Sequence, residues 1–440
     1  MYTRVIGLFL ESMLLVSISS TMVAAQAATE QQAVTAGTGT DAAQSQPPEH
    51  QHMQVAMEPA GWQFMQDGVL FGVFNHQGGP RGGTEFKAPN WWMGMATRKA
   101  GSSQLTLNMM LSLDPATAGK RGYGEIFQVG EAVDGRPLID RQHPHDLFMQ
   151  LAAVWRTAIT GKTGLTLAGG PAGEPALGPV AFMHRASAAE YPFASLGHHT
   201  FDSSHIAFGV ITAAVDHGPW IVEGSIFNGR EPDENRWNID VGALDSVSAR
   251  VWYRPTERWE FQVSSGHLTH PEELEPGNIQ RTTASASWFA QKETDFTAAT
   301  AGYGVNARDD GNRQALFGEF TRHAGLNSVF GRLDIVQVET ELLLRGTIPT
   351  THDAPVRKNT VGGFTIGGMR DIVRWKGFEG GLGAAVTFYA VPDSLKSSYG
   401  EHPLSFQVLF RLRPPAGSLG RMWNMRMSQP MLGHTMSHEM

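Results

Sequence analysis

The sequence predicts an all-β fold, a transmembrane antiparallel β-barrel of about sixteen strands, and three observations support this interpretation. Apolar and polar residues alternate in short segments, the connections between these segments are alternately short and long, and the composition is rich in glycine and aromatic residues. Strands that alternate in this way form a wall with lipid on one side and polar groups on the other.

Residues 105–113 show the alternation most clearly. Their apolar positions are Leu105, Leu107, Met109, Leu111 and Leu113, and the polar positions between them include Thr106, Asn108 and Ser112. Because strand side chains point alternately to opposite faces, the first set shares one face and the second set the other. Residues 259–264 and 404–413 repeat the pattern. The apolar face is predicted to contact lipid.

Placing strands by alternation and turn residues gives about sixteen segments between residues 62 and 413. Connections after even-numbered segments are short, whereas those after odd-numbered segments are long. The long ones are residues 75–90, 114–146, 170–205, 229–245, 267–281, 306–314, 340–359 and 392–403. Outer-membrane barrels have short periplasmic turns and long extracellular loops, so both chain ends are predicted to be periplasmic.

Composition narrows the class of protein. The 440 residues include 50 Gly, 23 Phe, 11 Trp and no Cys, which suits a strand-and-turn protein without disulfide bonds. A helical membrane protein would need runs of about 20 apolar residues, and only the amino terminus approaches one. The net charge of −8 argues against a nucleic-acid partner. The predicted partners are the lipid bilayer and small solutes or metal ions, and a homo-oligomer is left open.

Four regions are predicted. Residues 1–27 are typical of a secretory signal peptide, with Arg4, an apolar stretch and the small-residue site Ala25-Gln26-Ala27, although an uncleaved anchor is the alternative. Residues 28–60 are predicted to be a flexible periplasmic leader, residues 61–413 the barrel, and residues 414–440 a Met/His-rich periplasmic tail. The predicted location is the bacterial outer membrane.

In strand pattern and loop asymmetry, the chain resembles the bacterial outer-membrane β-barrel superfamily in the porin-like size range. This resemblance covers almost all of the mature sequence and implies a channel or binding barrel of a Gram-negative outer membrane. One departure is that such barrels usually end at an aromatic residue, whereas here Phe410-Arg411-Leu412-Arg413 is followed by a tail. A soluble propeller or sandwich is the alternative, but neither predicts alternating connection lengths.

The two chain ends contain soft-metal donors. In the tail these are Met422, Met425, Met427, Met431, His434, Met436, His438 and Met440, and near the other end they are His50, His52 and Met53. Thioether sulfur selects Cu(I), and by the same softness Ag(I), so the ends are predicted to bind copper or silver ions. The alternative is a disordered Met-rich tail without a ligand role.

A second set of candidate ligands lies in two long loops. It comprises His143, His145 and Asp146 before the fourth strand, and His184, His198, His199, Asp202 and His205 before the sixth. Neutral imidazoles with carboxylates are a ligand set for first-row divalent metals. No spacing here matches a defined zinc motif. The alternative is that these residues form hydrogen bonds that pin the loops inside the pore.

The predicted function is therefore a porin-like channel or binding barrel that handles copper or another soft transition metal. Inward groups that would filter solutes are predicted from alternation to be Arg250, Glu260, Glu319, Arg332 and Arg411. An enzyme is not expected, but a lipase- or deacylase-type hydrolase using Asp202, Ser203, Ser204 and His205 is one alternative. A structural or adhesive barrel is another.

Overall fold

The computed structural model of the protein describes residues 61–274, 277–346, 356–416, 418 and 425–429. The predicted signal peptide and leader, and most of the predicted tail, lie outside these residues. Within the described residues, no helix has both the length and the apolar character needed to cross a membrane.

The described residues form nineteen strands, four short α-helices and three 3-10 turns. The strands are β1 (Trp62–Gln77), β2 (Gly83–Lys87), β3 (Asn90–Ala100), β4 (Ser103–Leu111), β5 (Tyr123–Val133), β6 (Arg136–Gln142), β7 (Phe148–Thr160), β8 (Thr163–Ala172), β9 (Val210–His217), β10 (Trp220–Phe227), β11 (Ser246–Thr256), β12 (Trp259–Leu268), β13 (Ile279–Lys292), β14 (Asp295–Ala307), β15 (Arg313–Ala324), β16 (Asn327–Glu339), β17 (Lys358–Trp375), β18 (Phe378–Ala390) and β19 (Leu404–Arg413). The helices are α1 (Asp114–Thr117), α2 (His198–Phe201), α3 (Thr340–Arg345) and α4 (Asp393–Tyr399), and the 3-10 turns are Phe182–His184, Ala186–Ala188 and Ser203–His205.

All strands except β2, β5 and β6 close into one antiparallel barrel of sixteen strands. The closing strand β1 pairs with β3 along its first half, with Trp62 opposite Arg98, and with β19 along its second half, with Phe74 opposite Val408. Closure leaves no unpaired sheet edge, which a barrel in lipid requires. The predicted fold class, including the strand number and the alternation of short turns and long loops, is confirmed.

The outer wall of the barrel is apolar and its inner wall polar. Leu107 on β4 is 45% exposed on the outer surface, whereas its neighbour Asn108 is 4% exposed. On β12, Phe261 is exposed and Gln262 is buried in the same way. This arrangement is the reverse of a water-soluble barrel and matches a wall that contacts lipid.

The predicted outward position of Leu113 is wrong, because Leu113 is 6% exposed. The strand β4 ends at Leu111, and its pairing with β7 shifts register between Met110 and Leu111. Leu113 then precedes the first turn of α1. The chain therefore leaves the wall before the alternation reaches this residue.

Three strands were not predicted. β2 pairs with the end of β1, and β5 and β6 form a separate two-stranded sheet. The predicted sixth strand also begins too early, because Ile206 precedes the observed start of β9 at Val210. β2 falls in the first long loop, between β1 and β3. The other differences fall in two later long loops, which we name loop 2 (residues 112–147, between β4 and β7) and loop 3 (residues 173–209, between β8 and β9).

Loops 2 and 3 are packed inside the barrel. The ring of Phe201 in loop 3 lies 4.8 Å from that of Phe317 on β15, and Tyr191 stacks on Phe330 of β16. The two loops also contact each other, since the rings of Tyr123 and Phe193 stack with centroids 4.4 Å apart. The lumen at this level is filled by folded chain.

The predicted inward groups Arg250, Glu260, Glu319, Arg332 and Arg411 are all buried on the inner wall, as expected. Four of them hold the loops. Their loop partners are Glu174 at 2.9 Å for Arg250, Arg185 at 2.6 Å for Glu319, Glu125 at 3.2 Å for Arg332, and Glu190 for Arg411. These charges anchor loops 2 and 3 to the wall, which differs from the predicted role of filtering solutes in an open pore.

The tail segment 425–429 also lies inside the barrel. The guanidinium of Arg426 donates to Glu223 Oε1 on β10 at 3.0 Å and lies 4.5 Å from the ring centre of Trp252 on β11. Glu223 pairs with Ala214, a few residues from the short turn that joins β9 and β10. The segment therefore packs near the short-turn end of the lumen.

Candidate metal centre

Six histidines from loops 2 and 3 converge inside the barrel. Neighbouring ring centres are 5.4 Å apart for His199 and His143, 5.8 Å for His143 and His198, 5.4 Å for His198 and His205, and 5.6 Å for His205 and His145. The sixth, His184, packs edge-on against Trp91 and interacts electrostatically with His145. All six had been predicted as candidate ligands from two separate sequence segments.

Local structure explains how each loop presents its rings. In loop 3, the single turn of α2 places His198 and Asp202 four residues apart on one face, and the following 3-10 turn brings His205 back towards them. In loop 2, His143 and His145 flank a proline, after β6 and before β7. Phe182 packs among the rings of His145, His198 and His205.

The Nδ1 atoms of the rings are fixed by oxygen acceptors. They lie 2.8 Å from Asp114 Oδ2 for His145, 2.7 Å from Asp202 Oδ1 for His198, 2.7 Å from the Asp202 carbonyl oxygen for His205, 3.1 Å from Glu231 Oε1 for His199, and 3.2 Å from Glu131 Oε1 for His143. An ionised carboxylate or a carbonyl oxygen can only accept, so Nδ1 carries the proton. In the neutral ring, Nε2 is then left with a free lone pair, the arrangement found in metal-ligating histidines.

Five of the Nε2 atoms lack a hydrogen-bond partner in the described residues. The Nε2 atoms of His143, His145, His184, His198 and His205 are buried and make no hydrogen bond within the described part of the chain. A buried polar atom without a partner costs on the order of 1–3 kcal/mol. Five such atoms in one cluster have lone pairs available for a ligand that accepts electron pairs.

The pKa values favour neutral rings. Burial lowers the pKa of His143 and His205 well below the usual value, and burial together with the neighbouring His145 lowers that of His184 to about 3. Burial also lowers the pKa of His198, although Asp202 acts in the opposite direction. Neutral imidazole is the form that binds metals.

His199 differs from the other rings. Burial would lower its pKa, but the nearby carboxylates of Glu231 and Glu272 raise it above the usual value. Its Nδ1 lies 3.1 Å from Glu231 and 3.9 Å from Glu272. His199 is therefore a member of the cluster whose pKa is raised, by two neighbouring carboxylates.

Two overlapping sets of residues have ligand atoms close enough to share an ion. The ligand atoms of His143, His198 and His199 lie within 4.8 Å of one another, as do those of His199, Glu231 and Glu272. Imidazole nitrogens on a tetrahedral zinc ion at about 2.1 Å are about 3.4 Å apart. In either set, ligand atoms that lie farther apart than this would have to move closer together to share an ion.

Some predicted residues support the cluster instead of pointing into it. The carboxylate of Asp146 is 3.1 Å from Arg236, and Asp202 binds both His198 and Arg185. The acidic partners Asp114, Glu131, Glu231 and Glu272 were not predicted, since they lie far from the histidines in sequence and nothing local pairs them. In the sequence, the mixed charges of residues 228–236 are the feature that points to a polar loop around Glu231.

The predicted tail ligands are only partly described. Met425 and Met427 are buried in two separate apolar clusters. The other predicted ligands of the chain ends lie outside the described residues, namely His50, His52, Met53, Met422, Met431, His434, Met436, His438 and Met440. Metal binding by the ends stays a prediction.

The hydrolase residues do not form a triad within the described residues. Ser203 accepts a hydrogen bond from Arg281 at 3.0 Å, and the hydroxyl of Ser204 is buried without a partner there. The ring of His205 is oriented by a backbone oxygen, while the carboxylate of Asp202 binds His198 and Arg185. A nucleophile and base within hydrogen-bond reach are therefore lacking in this part of the chain.

Comparison with known proteins identifies the fold. No protein-family model matches the chain, and no curated protein matches it in sequence. Among solved structures, OprB of Pseudomonas putida at high pH is 10% identical with a TM-score of 0.50, over 80% of this chain and 94% of that one. An anion-selective porin from Comamonas acidovorans is 11% identical with a TM-score of 0.48, over 80% of this chain and 100% of that one. Identities this low show the fold alone.

The closed sixteen-stranded barrel and its apolar outer wall agree with this likeness and fit a location in the bacterial outer membrane. In fold, the chain is a closed antiparallel β-barrel of sixteen strands that is similar to porins.

Proposed function

We propose that this barrel binds a divalent first-row transition-metal cation at the luminal histidine cluster formed by loops 2 and 3. The observation that supports the proposal is the group of five buried Nε2 atoms that have no hydrogen-bond partner among the described residues. Imidazole is a ligand for zinc, copper, nickel and iron, whereas calcium and magnesium prefer oxygen. Copper, predicted for the chain ends, is therefore also a candidate for this cluster.

The alternative was that the loop histidines pin the loops inside the pore by hydrogen bonding. That role would need hydrogen bonds from the rings to the barrel wall, but the Nδ1 partners of His145, His198 and His205 lie in the same loop as each ring, and the Nε2 atoms have no partner in the described residues. Buried ion pairs such as Arg185 with Glu319 and Arg332 with Glu125 already anchor the loops. Anchoring alone therefore does not account for the histidines.

Metal titration of the purified full chain in detergent tests the proposal. After chelator treatment, Co²⁺ should bind with visible d–d absorption bands typical of nitrogen ligands, and Zn²⁺ should displace it. The double variant His143→Ala/His198→Ala should lose this signal. The control variant His267→Ala, which removes a histidine from the outer wall of β12, should keep it. Equal binding by the double variant and the wild type would contradict the proposal.

A tail variant separates the cluster from the chain ends. Replacing Met431, Met436 and Met440 by Leu removes candidate thioether ligands and leaves the sequences of loops 2 and 3 unchanged. The Co²⁺ spectrum should be unchanged in this variant. Loss of the spectrum would instead assign the bound metal to the tail.

A further inference from the structure

A cavity of about 750 Å³ lies beside the histidine cluster, among loop 2, loop 4 (residues 228–245, between β10 and β11) and the loop that follows β12. Its lining includes six acidic residues, Glu131, Glu231, Asp233, Asp240, Glu272 and Glu273. One arginine, Arg230, and one histidine, His270, are the basic residues of that lining. We call this cavity the acidic vestibule.

One side chain of the vestibule has an unused ligand atom. The side chain of Glu231 is 10% exposed, its Oε1 is 3.1 Å from His199 Nδ1, and its Oε2 is buried without a hydrogen-bond partner in the described residues. A buried carboxylate oxygen without a partner beside an acidic cavity favours a cation.

His199 connects the vestibule with the histidine cluster. It belongs both to the set with Glu231 and Glu272 and to the set with His143 and His198. Its ring centre lies 5.4 Å from that of His143 and 5.3 Å from that of His198. A cation held by the two carboxylates would therefore reach the imidazoles by exchanging ligands around a single ring.

We propose that the acidic vestibule is the loading site of the barrel, where Glu231 and Glu272 capture a divalent cation that displaces the Nδ1 proton of His199 to solvent, binds this ring and then passes to His143 and His198. This inference rests on the proposed function, because it needs the histidine cluster as the acceptor. Two carboxylates and one imidazole form a harder ligand set than three imidazoles, so the outer site suits short-lived capture. A cavity lined by charges of one sign also concentrates cations and raises their association rate by about 10–10³-fold.

Stopped-flow mixing of chelator-treated protein with Co²⁺ tests the inference, with the absorption of the histidine cluster as the readout. The variant Glu231→Gln/Glu272→Gln should lower the association rate about tenfold or more, because the vestibule then carries two fewer negative charges to attract the cation. Its final absorption spectrum should match that of the wild type. Added salt should slow the wild type more strongly than the variant.

A second variant keeps the test valid if the first does not fold. Asp233→Asn/Glu273→Gln changes two exposed carboxylates of the vestibule outside the His199 set, and it should slow association by a smaller factor. The control Asp309→Asn removes an acid between β14 and β15 and should leave the rate unchanged.

The outcomes separate this inference from the proposed function. Wild-type rates in both vestibule variants would overturn the loading site and leave the histidine centre intact. Loss of the final spectrum in the Glu231→Gln/Glu272→Gln variant would also overturn it, because the carboxylates would then belong to the centre itself. Absence of any Co²⁺ spectrum in the wild type would overturn the proposed function first.

Discussion

Asp202→Asn should weaken metal binding although Asp202 is not itself a ligand in this account. Its Oδ1 accepts from His198 Nδ1 at 2.7 Å, while Oδ2 accepts from Arg185 at 2.8 Å and from the amide of Phe182 at 3.1 Å. Asparagine has the same shape but only one acceptor oxygen. If its NH₂ faces His198, Nδ1 must accept, the proton moves to Nε2, and the lone pair for the metal is lost.

The opposite rotamer of the asparagine is also costly, because the NH₂ group would then face the donors of Arg185 and Phe182. Loss of a carboxylate that orients a ligating histidine reduces metal affinity by about 10–100-fold. That loss corresponds to about 1.4–2.7 kcal/mol of binding free energy. Competition between the protein and a chromophoric chelator for Zn²⁺ measures this difference directly.

Asp334→Asn is the matched control for a general loosening of loop 3. Asp334 binds Ser195 of loop 3 at 2.6 Å and Arg332 at 2.8 Å, and it has no histidine partner in the described residues. This variant should bind Zn²⁺ with near-normal affinity. Equal losses in Asp202→Asn and Asp334→Asn, or no loss in Asp202→Asn, would refute the tautomer reasoning.

The packing of the lumen leads to four further predictions. Gly130→Ala would place a Cβ against the ring of His199 and should reduce the Co²⁺ affinity at least tenfold. In the control Gly135→Ala the added Cβ has no neighbouring atom, so the affinity should stay unchanged. Equal affinities in the two variants would contradict this prediction. Glu190→Gln leaves two buried guanidinium groups of β19 without their shared carboxylate and should destabilise the barrel by about 3–5 kcal/mol in urea denaturation, a result contradicted by an unchanged midpoint. Burial would raise the pKa of Glu190, but these arginines lower it to about 2, so its contribution is fully present above the unfolded pKa and is lost progressively as the pH falls to about 2. Tryptophan fluorescence at pH 4, where most of this contribution remains, should therefore still report docked loops. Arg426→Ala removes the ion pair of the tail segment with Glu223, which keeps its hydrogen bond from Ser428, and should raise the single-channel conductance in planar bilayers; unchanged conductance would contradict this prediction.

The barrel wall was predictable because its signal is local. Each wall strand must face lipid on one side, so pairs such as Phe261 and Gln262 alternate within the strand itself. The hairpin β5–β6 carries no such signal, since it lies inside the lumen and its register shifts between Gly124 and Val129. Its backbone also adopts positive φ at Phe127. A segment with these irregularities cannot be found by counting alternate residues.

The candidate site was predictable in its residue types but not in its assembly. Histidines such as His143 and His198 stood out as metal ligands in sequence, yet their meeting depends on loops 2 and 3 folding into the barrel. That folding rests on distant ion pairs, for example Arg185 with Glu319, which are 134 residues apart. Glu231 reaches His199 in the same way from another loop, so no spacing rule could have found it.

X-ray absorption at the metal K-edge of the copper- or zinc-loaded full chain tests the central claim most directly, because it distinguishes nitrogen from sulfur ligands. The expected result is a shell of nitrogen and oxygen ligands at about 2.0–2.1 Å with imidazole scattering. The imidazole scattering should be lost in the His143→Ala/His198→Ala variant. A sulfur shell at about 2.3 Å, which would assign the metal to the methionine-rich tail, or the absence of tightly bound metal, would contradict it.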